Sequence, residues 1–392
     1  MQTLYNLAPL VTLLSIGALL ALGPVIWVWL RNRRATTSHR VHALTLLTLF
    51  LTFDLVMFGA FTRLTNSGLG CPDWPGCYGN ASPHGAKGQI EAAQSALPSG
   101  PVTHEKAWIE MIHRYLATSV GALILVLTLS AWMRAWGGGR SAARSESVNP
   151  WWPTLILLWV CIQGAFGALT VTLKLFPAIV TLHLLGGLVL LGLLTVQVVH
   201  TAAPRAARAH MPVLSTGLRG WLWLSFVLLI VQVTLGAWVS TNYAVLACTD
   251  FPTCQGSWWP QMNFQRGFEI WRELGLTGGG EYIPFDALTA IHYVHRIAAF
   301  VVLSVLGVLA WKLNRLPEWR RQSRWLAALI VLQLGTGISN VVFGWPLAAA
   351  ILHTGGAGAL VVILTWVVAT SRLQGSYQTL AHREFSGLGP TL

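Results

Sequence analysis

Long apolar segments alternate with short polar segments along the chain, and most basic residues lie in the polar ones. Nine segments hold enough consecutive apolar residues to cross the roughly 30 Å hydrocarbon core of a bilayer as an α-helix. They are residues 9–30, 42–62, 112–133, 153–172, 178–200, 221–241, 289–311, 325–344 and 347–370. The pattern therefore predicts an all-α polytopic membrane protein.

Composition supports this fold class and excludes several others. Hydrophobic residues make up 54% of the 392 residues and charged residues only 10%, whereas soluble domains carry about 25% charged residues. The chain is also too apolar to be disordered. Its formal net charge of +12 would suit a nucleic-acid-binding protein, but the basic residues form no face long enough to follow a phosphate backbone. We therefore expect membrane lipid as a partner, and no nucleic acid.

The distribution of lysine and arginine predicts the orientation in the membrane. Four loops and the C-terminal tail hold 17 of the 25 Lys and Arg residues: 31–41, 134–152, 201–220, 312–324 and 371–392. Loops rich in Lys and Arg face the cytoplasm, so we predict a multi-pass plasma-membrane protein with its N-terminus outside and its C-terminus in the cytoplasm. The first apolar segment has no basic n-region or cleavage site, so we expect a retained span.

Two long loops, residues 63–111 and 242–288, are then outside, and they reveal an internal repeat. Both contain the pattern C-x-D-aromatic-P-x-C, as Cys71–Cys77 and Cys248–Cys254, at an offset of 177 residues. Such ordered self-similarity makes helices two to five resemble helices six to nine. Each unit has an even number of spans, so we predict two pseudo-symmetric four-helix bundles in a parallel repeat, plus one extra N-terminal transmembrane helix.

The repeat divides the chain into five predicted regions. They are an extra helix with a cytoplasmic loop (1–41), an N-terminal bundle (42–200), a cytoplasmic linker (201–220), a C-terminal bundle (221–370) and a cytoplasmic tail (371–392).

Four histidines occupy matching positions in the two units. His113 and His295 are predicted to open helices three and seven, and His183 and His353 lie early in helices five and nine. A histidine within a membrane is costly and is a functional candidate, although a lone one could equally be a satisfied core residue. Two matched pairs on neighbouring helices favour axial ligation of haem iron. A zinc site would need thiolates or a third and fourth ligand nearby, of which these helices offer few.

An arginine follows one histidine of each pair. Arg114 and Arg296 lie near the aqueous edge, where they suit the propionates of the haem in their own unit through charge-assisted hydrogen bonds. The alternative is an interfacial arginine that extends its charged end to water.

A carboxylate distinguishes the two units. Glu110 stands three residues before His113, whereas His292 stands three residues before His295. Positions i and i+3 share a helix face, so we expect a carboxylate beside one iron site only. This asymmetry favours an enzyme with one reaction site and one electron-transfer site.

Four of the five cysteines lie in the outer loops, on the oxidising side of the membrane. We therefore expect the disulfides Cys71–Cys77 and Cys248–Cys254, and the sequence leaves open whether either is a structural staple or a redox-active pair. Cys161, alone in helix four, is predicted to be a buried packing residue.

Together, these motifs resemble those of the haem A synthase family. The resemblance is carried by Thr62–Leu69 leading into Cys71–Cys77, and by Glu110–Arg114, Thr181–His183, His292–Arg296 and Leu352–His353. It covers residues 42–370. It implies an eight-helix core and the conversion of haem O to haem A for terminal oxidases, in which a methyl group of the porphyrin becomes a formyl group with oxygen from water.

The resemblance also implies roles for single residues. His113 and His183 would bind the substrate haem, and His295 and His353 would ligate a haem b cofactor. Glu110 matches a residue to which the family assigns a catalytic role.

The resemblance extends to redox chemistry and to partners. Cys71 and Cys77 match cysteines that are implicated in redox steps. A haem O synthase and a membrane electron acceptor are the partners that we expect.

Two other classes of protein fit parts of the pattern. A di-haem b electron-transfer protein would use the same four histidines without converting a substrate, but it would not need the difference between Glu110 and His292. A transporter built from parallel repeats would explain the symmetry but not the histidines.

Overall fold

The computed structural model describes residues 8–137, 149–202 and 214–387. Within these ranges, nine helices are long and apolar enough to span a membrane, in agreement with the number and order predicted from the sequence. They are α1 (Ala8–Arg31), α2 (Thr37–Leu64), α3 (His104–Gly137), α4 (Trp151–Thr172), α5 (Pro177–Thr201), α6 (Thr216–Thr241), α7 (Phe285–Asn314), α8 (Arg320–Val342) and α9 (Leu347–Gly387). The prediction of an all-α polytopic membrane protein is confirmed.

Part of the charge pattern that predicts the orientation lies outside the described residues. Most of the predicted linker 201–220 belongs there, as do Arg140, Arg144, Arg205 and Arg208. The last helix, by contrast, continues through Gly387, well into the predicted tail.

Helices α3 and α7 begin earlier than the hydrophobic pattern predicts. They begin at His104 and Phe285, so His113 and His295 lie nine and ten residues inside a helix. The prediction that these histidines open their helices was therefore wrong. The first turn of α3 contains the acidic Glu105, and a search for uninterrupted apolar residues excludes such a turn although its backbone is helical.

The two predicted units share one apolar core. Leu191 and Leu194 of α5 lie in the same cluster of buried side chains as Leu360 and Leu364 of α9. Helices α5 and α9 pack against each other. Helix α2 of the N-terminal unit also contacts α9, and α6 of the C-terminal unit also contacts α5. The boundaries of the two bundles stay a prediction, because this core is continuous between them.

Small residues allow close helix packing at repeated positions. A Cβ atom on Gly186 would lie 1.9 Å from the amide nitrogen of Gln163, and one on Gly356 would lie 2.2 Å from that of Gln333. Because lipid tails are as apolar as leucine, such close packing contributes more to helix association in a membrane than apolar burial does. The two contacts are related by the repeat offset of 170 residues.

Residues near the C-terminal ends of α2 and α6 join the two units. The guanidinium carbon of Arg63 lies 3.9 Å from the centroid of the Tyr243 ring, and Arg63 also donates a hydrogen bond to the carbonyl of Ser240. The Tyr243 hydroxyl donates to Asn66 Oδ1 at 2.8 Å. The offset of 177 residues relates position 63 to 240 and position 66 to 243. Equivalent positions therefore contact each other.

The extra helix α1 packs mainly on α3. Their approach is close, since a Cβ atom on Gly17 would lie 2.4 Å from Thr118 Oγ1. Leu13 of α1 joins a cluster of buried side chains with Cys71, Cys77 and other residues of α3 and of the loop between α2 and α3. Helix α1 therefore covers the segment Cys71–Cys77, the first cysteine ring. The matching segment Cys248–Cys254 is the second cysteine ring.

Candidate functional site

Both predicted disulfides are present in the structure. Cys71 pairs with Cys77, and Cys248 pairs with Cys254. All four cysteines have 0% of their surface exposed. A reductant therefore reaches either disulfide only after the surrounding loop or helices have moved.

An aspartate organises each cysteine ring through the same hydrogen bonds. Asp73 accepts bonds from the backbone amides five and six residues later, at 2.6 and 2.7 Å, and Asp250 does the same at 2.7 and 3.0 Å. The hydroxyl of Thr253 also donates to Asp250. The bond from Thr253, followed by those from the amides, lowers the pKa of the Asp250 carboxyl from 3.8 to about 2.

Arg114 and Arg296 attach the rings to the helices that carry His113 and His295. Arg114 donates to three ring carbonyls at 2.5–3.1 Å, and Arg296 donates to three at 2.7–3.0 Å. Sequence analysis missed this role, because the acceptors are backbone atoms. The only signal was that an arginine accompanies each ring. A contact with haem propionates stays a prediction.

Glu110 links the first ring to α3 through a carboxylate, and His292 takes its position in the second unit. Its carboxylate is 4% exposed, accepts a hydrogen bond from the Cys71 amide at 2.8 Å and forms an ion pair with Arg114. In the other unit, His292 accepts from Arg296 Nε at 3.3 Å. The predicted difference between the units is therefore present as a difference in contacts, and the catalytic role of Glu110 stays a prediction.

Each of the four candidate histidines packs against a glycine of a neighbouring helix. The pairs are His113 with Gly59, His183 with Gly167, His295 with Gly236 and His353 with Gly337. A Cβ atom at these glycines would lie 2.9–3.5 Å from the imidazole Cε1, so the glycines make room for the rings. The two imidazoles of each unit also interact electrostatically. The structure therefore brings each predicted pair together.

The donor set fits haem better than a bare metal ion. Within the described ranges, no group of three or more His, Cys, Asp or Glu residues could hold a metal ion. Haem iron needs only two axial ligands from the protein, and each unit offers two imidazoles. All four histidines are half-buried and retain some exposed surface, while Nδ1 of His113 and His183 is buried. The accessible part of those two residues is therefore not Nδ1.

The prediction for Cys161 was wrong. This cysteine is exposed and lies beside Leu158 and Ile162, which are also exposed. The outer face of a membrane helix contacts lipid and is as apolar as its inner face. Hydrophobicity alone could therefore not tell a buried thiol from an outward-facing one.

Comparison with known proteins identifies the family. Residues 42–365 match the family COX15-CtaA, described as cytochrome oxidase assembly protein. The chain is 36% identical over 321 residues to the haem A synthase of Shewanella oneidensis, covering 82% of this chain and 93% of that protein. It is 28% identical over 321 residues to the haem A synthase of Halalkalibacterium halodurans, covering 80% and 91%. The chain therefore belongs to the haem A synthase family of cytochrome oxidase assembly proteins.

Proposed function

We propose that this protein is a haem A synthase, a membrane enzyme that oxidises a methyl group of haem O to the formyl group of haem A. The observation that carries the proposal is 36% identity to a haem A synthase over 82% of the chain. Two pairs of imidazoles, each placed between helices, give the enzyme a site for a substrate haem and a site for a second haem.

We assign the substrate site to the N-terminal unit. His113 and His183 bind haem O there, and Glu110 is the carboxylate of this unit whose position is taken by His292 in the other unit. His295 and His353 hold haem b in the C-terminal unit. When bound, haem b supplies a one-electron carrier within the same protein.

The chemistry of the reaction explains why a carboxylate is needed. Converting a methyl group to a formyl group adds one oxygen atom from water and releases four electrons and four protons. Glu110 is a base that accepts protons at this site. The Cys71 amide and Arg114 hold its carboxylate in place, and Arg114 compensates the charge that burial would otherwise make costly.

We place the enzyme in the plasma membrane, with the cysteine rings outside and the C-terminus in the cytoplasm. The electrons pass to an acceptor in the membrane. Haem O comes from a haem O synthase, because haem O is too apolar to cross water readily.

The proposal is tested by analysing the haems of the purified protein. Protein produced together with a haem O synthase is extracted, and its haems are separated by chromatography. We expect haem A from the wild type and none from His113→Ala, whereas His84→Ala, which alters an exposed loop histidine, behaves as the wild type. Recovery of unchanged haem O from wild-type protein with both sites filled would favour a di-haem electron-transfer protein instead.

A further inference from the structure

We propose that hydrogen bonds to the histidine Nδ1 atoms make the C-terminal site retain its haem, while the N-terminal site, which lacks them, releases its haem. Thr336 is the main positioning residue. The inference rests on the proposed function in one respect, which is that the four histidines are haem ligands.

Thr336 Oγ1 is placed to accept a hydrogen bond from the protonated Nδ1 of His353. The Thr336 hydroxyl donates to the carbonyl of Leu332 at 2.7 Å, so its lone pairs face His353 Nδ1 at 2.9 Å. Gln333 donates to the carbonyl of His353 at 2.8 Å and holds the backbone beside it. An imidazole that binds iron through Nε2 carries its proton on Nδ1. These contacts therefore fix the ring in the state that ligation requires.

Gln232 is the polar neighbour of His295 Nδ1, as Thr336 is of His353 Nδ1. Its amide nitrogen lies 3.0 Å from His295 Nδ1 and 3.1 Å from the carbonyl of His295. The amide oxygen is buried without a partner among the described residues. When the Gln232 amide is rotated by half a turn, its oxygen accepts a hydrogen bond from the protonated Nδ1 of His295. The bond from Gln232 Nε2 to the carbonyl of His295 is then lost.

The N-terminal unit lacks both partners. The repeat offsets place Leu55 at the position of Gln232 and Phe166 at the position of Thr336. Neither side chain can accept a hydrogen bond from a histidine Nδ1. Consistently, Nδ1 of His113 and Nδ1 of His183 are buried without a hydrogen-bond partner in the described part of the chain.

This difference matches the different tasks of the two sites. An acceptor on Nδ1 orients the ring and makes the imidazole a stronger donor to iron, and removing such a partner typically lowers metal affinity by about 10–100-fold. A stronger donor also favours ferric over ferrous iron, which lowers the midpoint potential. A cofactor site has to keep its haem through many turnovers, whereas a substrate site has to release its product.

The test compares the release of haem from the purified protein to excess apomyoglobin. We expect a fast and a slow phase for the wild type. Thr336→Val removes the hydroxyl at nearly constant shape, and it should accelerate only the slow phase, by about 10–100-fold, and raise the midpoint potential of that haem. Thr336→Ser keeps the hydroxyl and should restore both values.

Thr234→Val is the matched control. Thr234 makes the same bond to the carbonyl four residues earlier, at 2.8 Å to Ile230, and its removal should change neither phase. Leu55→Gln tests the converse, since it offers an amide to His113 and should slow the fast phase. Unchanged release and potential in Thr336→Val, together with an unchanged fast phase in Leu55→Gln, would overturn the inference. These measurements need no conversion of haem O, so they remain decisive if the wild type forms no haem A.

Discussion

At the residue scale, Glu110 is the group whose loss should separate catalysis from folding. Glu110→Gln keeps a hydrogen-bond acceptor for the Cys71 amide but removes the ionisable carboxylate. Arg114 keeps its three carbonyl partners, so we expect the protein to fold and to hold haem b at His295 and His353. Loss of a general base costs about 10²–10⁴-fold in rate, which is measured as haem A among the extracted haems.

Glu105→Gln is the control for this variant, because Glu105 is an exposed acid on the same helix. It should make haem A at the wild-type rate. A wild-type rate in Glu110→Gln would mean that Glu110 only anchors the cysteine ring.

Asp250 gives the second ring a defined pH dependence. Hydrogen bonds lower the pKa of its carboxyl from 3.8 to about 2 in the folded protein. The resulting stabilisation is therefore complete above the unfolded value of 3.8 and is lost as the pH falls towards about 2. The effect is small because the carboxyl faces solvent.

This pH dependence can be measured as amide hydrogen exchange of residues 248–257, corrected for the intrinsic exchange rate. Protection of the ring should fall between about pH 4 and about pH 2. Asp250→Asn should have weaker protection at neutral pH and no such fall. An identical profile in both proteins would contradict the assignment.

The residues of the site were predictable only where side chains carry the signal. The cysteine and histidine pairs could be found because the repeat aligns identical residues twice. The bonds of Arg114 to ring carbonyls could not be found, because every residue offers the same backbone carbonyl as an acceptor, whatever its side chain. The partners of the histidines, Thr336 and Gln232, also escaped detection, since they differ between the two units.

At the element scale, the C-terminal ends of α2 and α6 hold the two units together. Arg63→Ala removes both the stacking on Tyr243 and the bond to Ser240. A cation–π contact contributes about 0.5–2 kcal/mol, more where it is desolvated. We therefore expect a lower melting temperature in detergent.

Arg33→Ala is the matched control, since Arg33, just after the end of α1, lies 5.2 Å from the centroid of the Trp29 ring of α1 and is exposed. Its removal should change the melting temperature little. An equal effect of the two substitutions would show that Arg63 does not stabilise the contact between the units.

The number and order of the membrane-spanning helices in the described ranges followed from the sequence, whereas several of their ends did not. Apolar length is a direct consequence of bilayer thickness, which is why all nine spans were found. Bilayer thickness does not constrain the polar first turns of α3, nor does it constrain the short helix Lys87–Ala96 in the loop before α3. Their helical state depends on contacts with the loop, including burial of Ile90, and such contacts cannot be read from an apolar pattern.

At the scale of the whole molecule, a repeated framework carries two histidine pairs with different surroundings. The rings, the arginines that hold them and the glycines behind the histidines recur in both units. The units differ, among other positions, where Glu110 stands against His292 and Phe166 against Thr336. A duplicated fold can in this way keep one packing solution while its two sites take different tasks.

Helix α1 breaks the repeat, and its removal should affect only one ring. Leu13 packs with the first cysteine ring, and Pro9 lies close to it, since a Cβ atom on Gly76 would be 3.2 Å from Pro9 Cβ. A chain that begins at residue 36 loses this cover but keeps the eight other spans. We therefore expect Cys71–Cys77 to be reduced faster than in the full chain.

The second ring, Cys248–Cys254, is the internal control, because the cluster that Leu13 of α1 joins contains Cys71 and Cys77 but neither Cys248 nor Cys254. Both chains are treated with a membrane-impermeant phosphine, alkylated and digested, and the fraction of each cysteine that is modified is followed over time by mass spectrometry. Shortening the chain should raise the rate for the first ring and leave that of the second unchanged. Equal rates for the first ring in both chains would show that the outer loop shields its disulfide without α1.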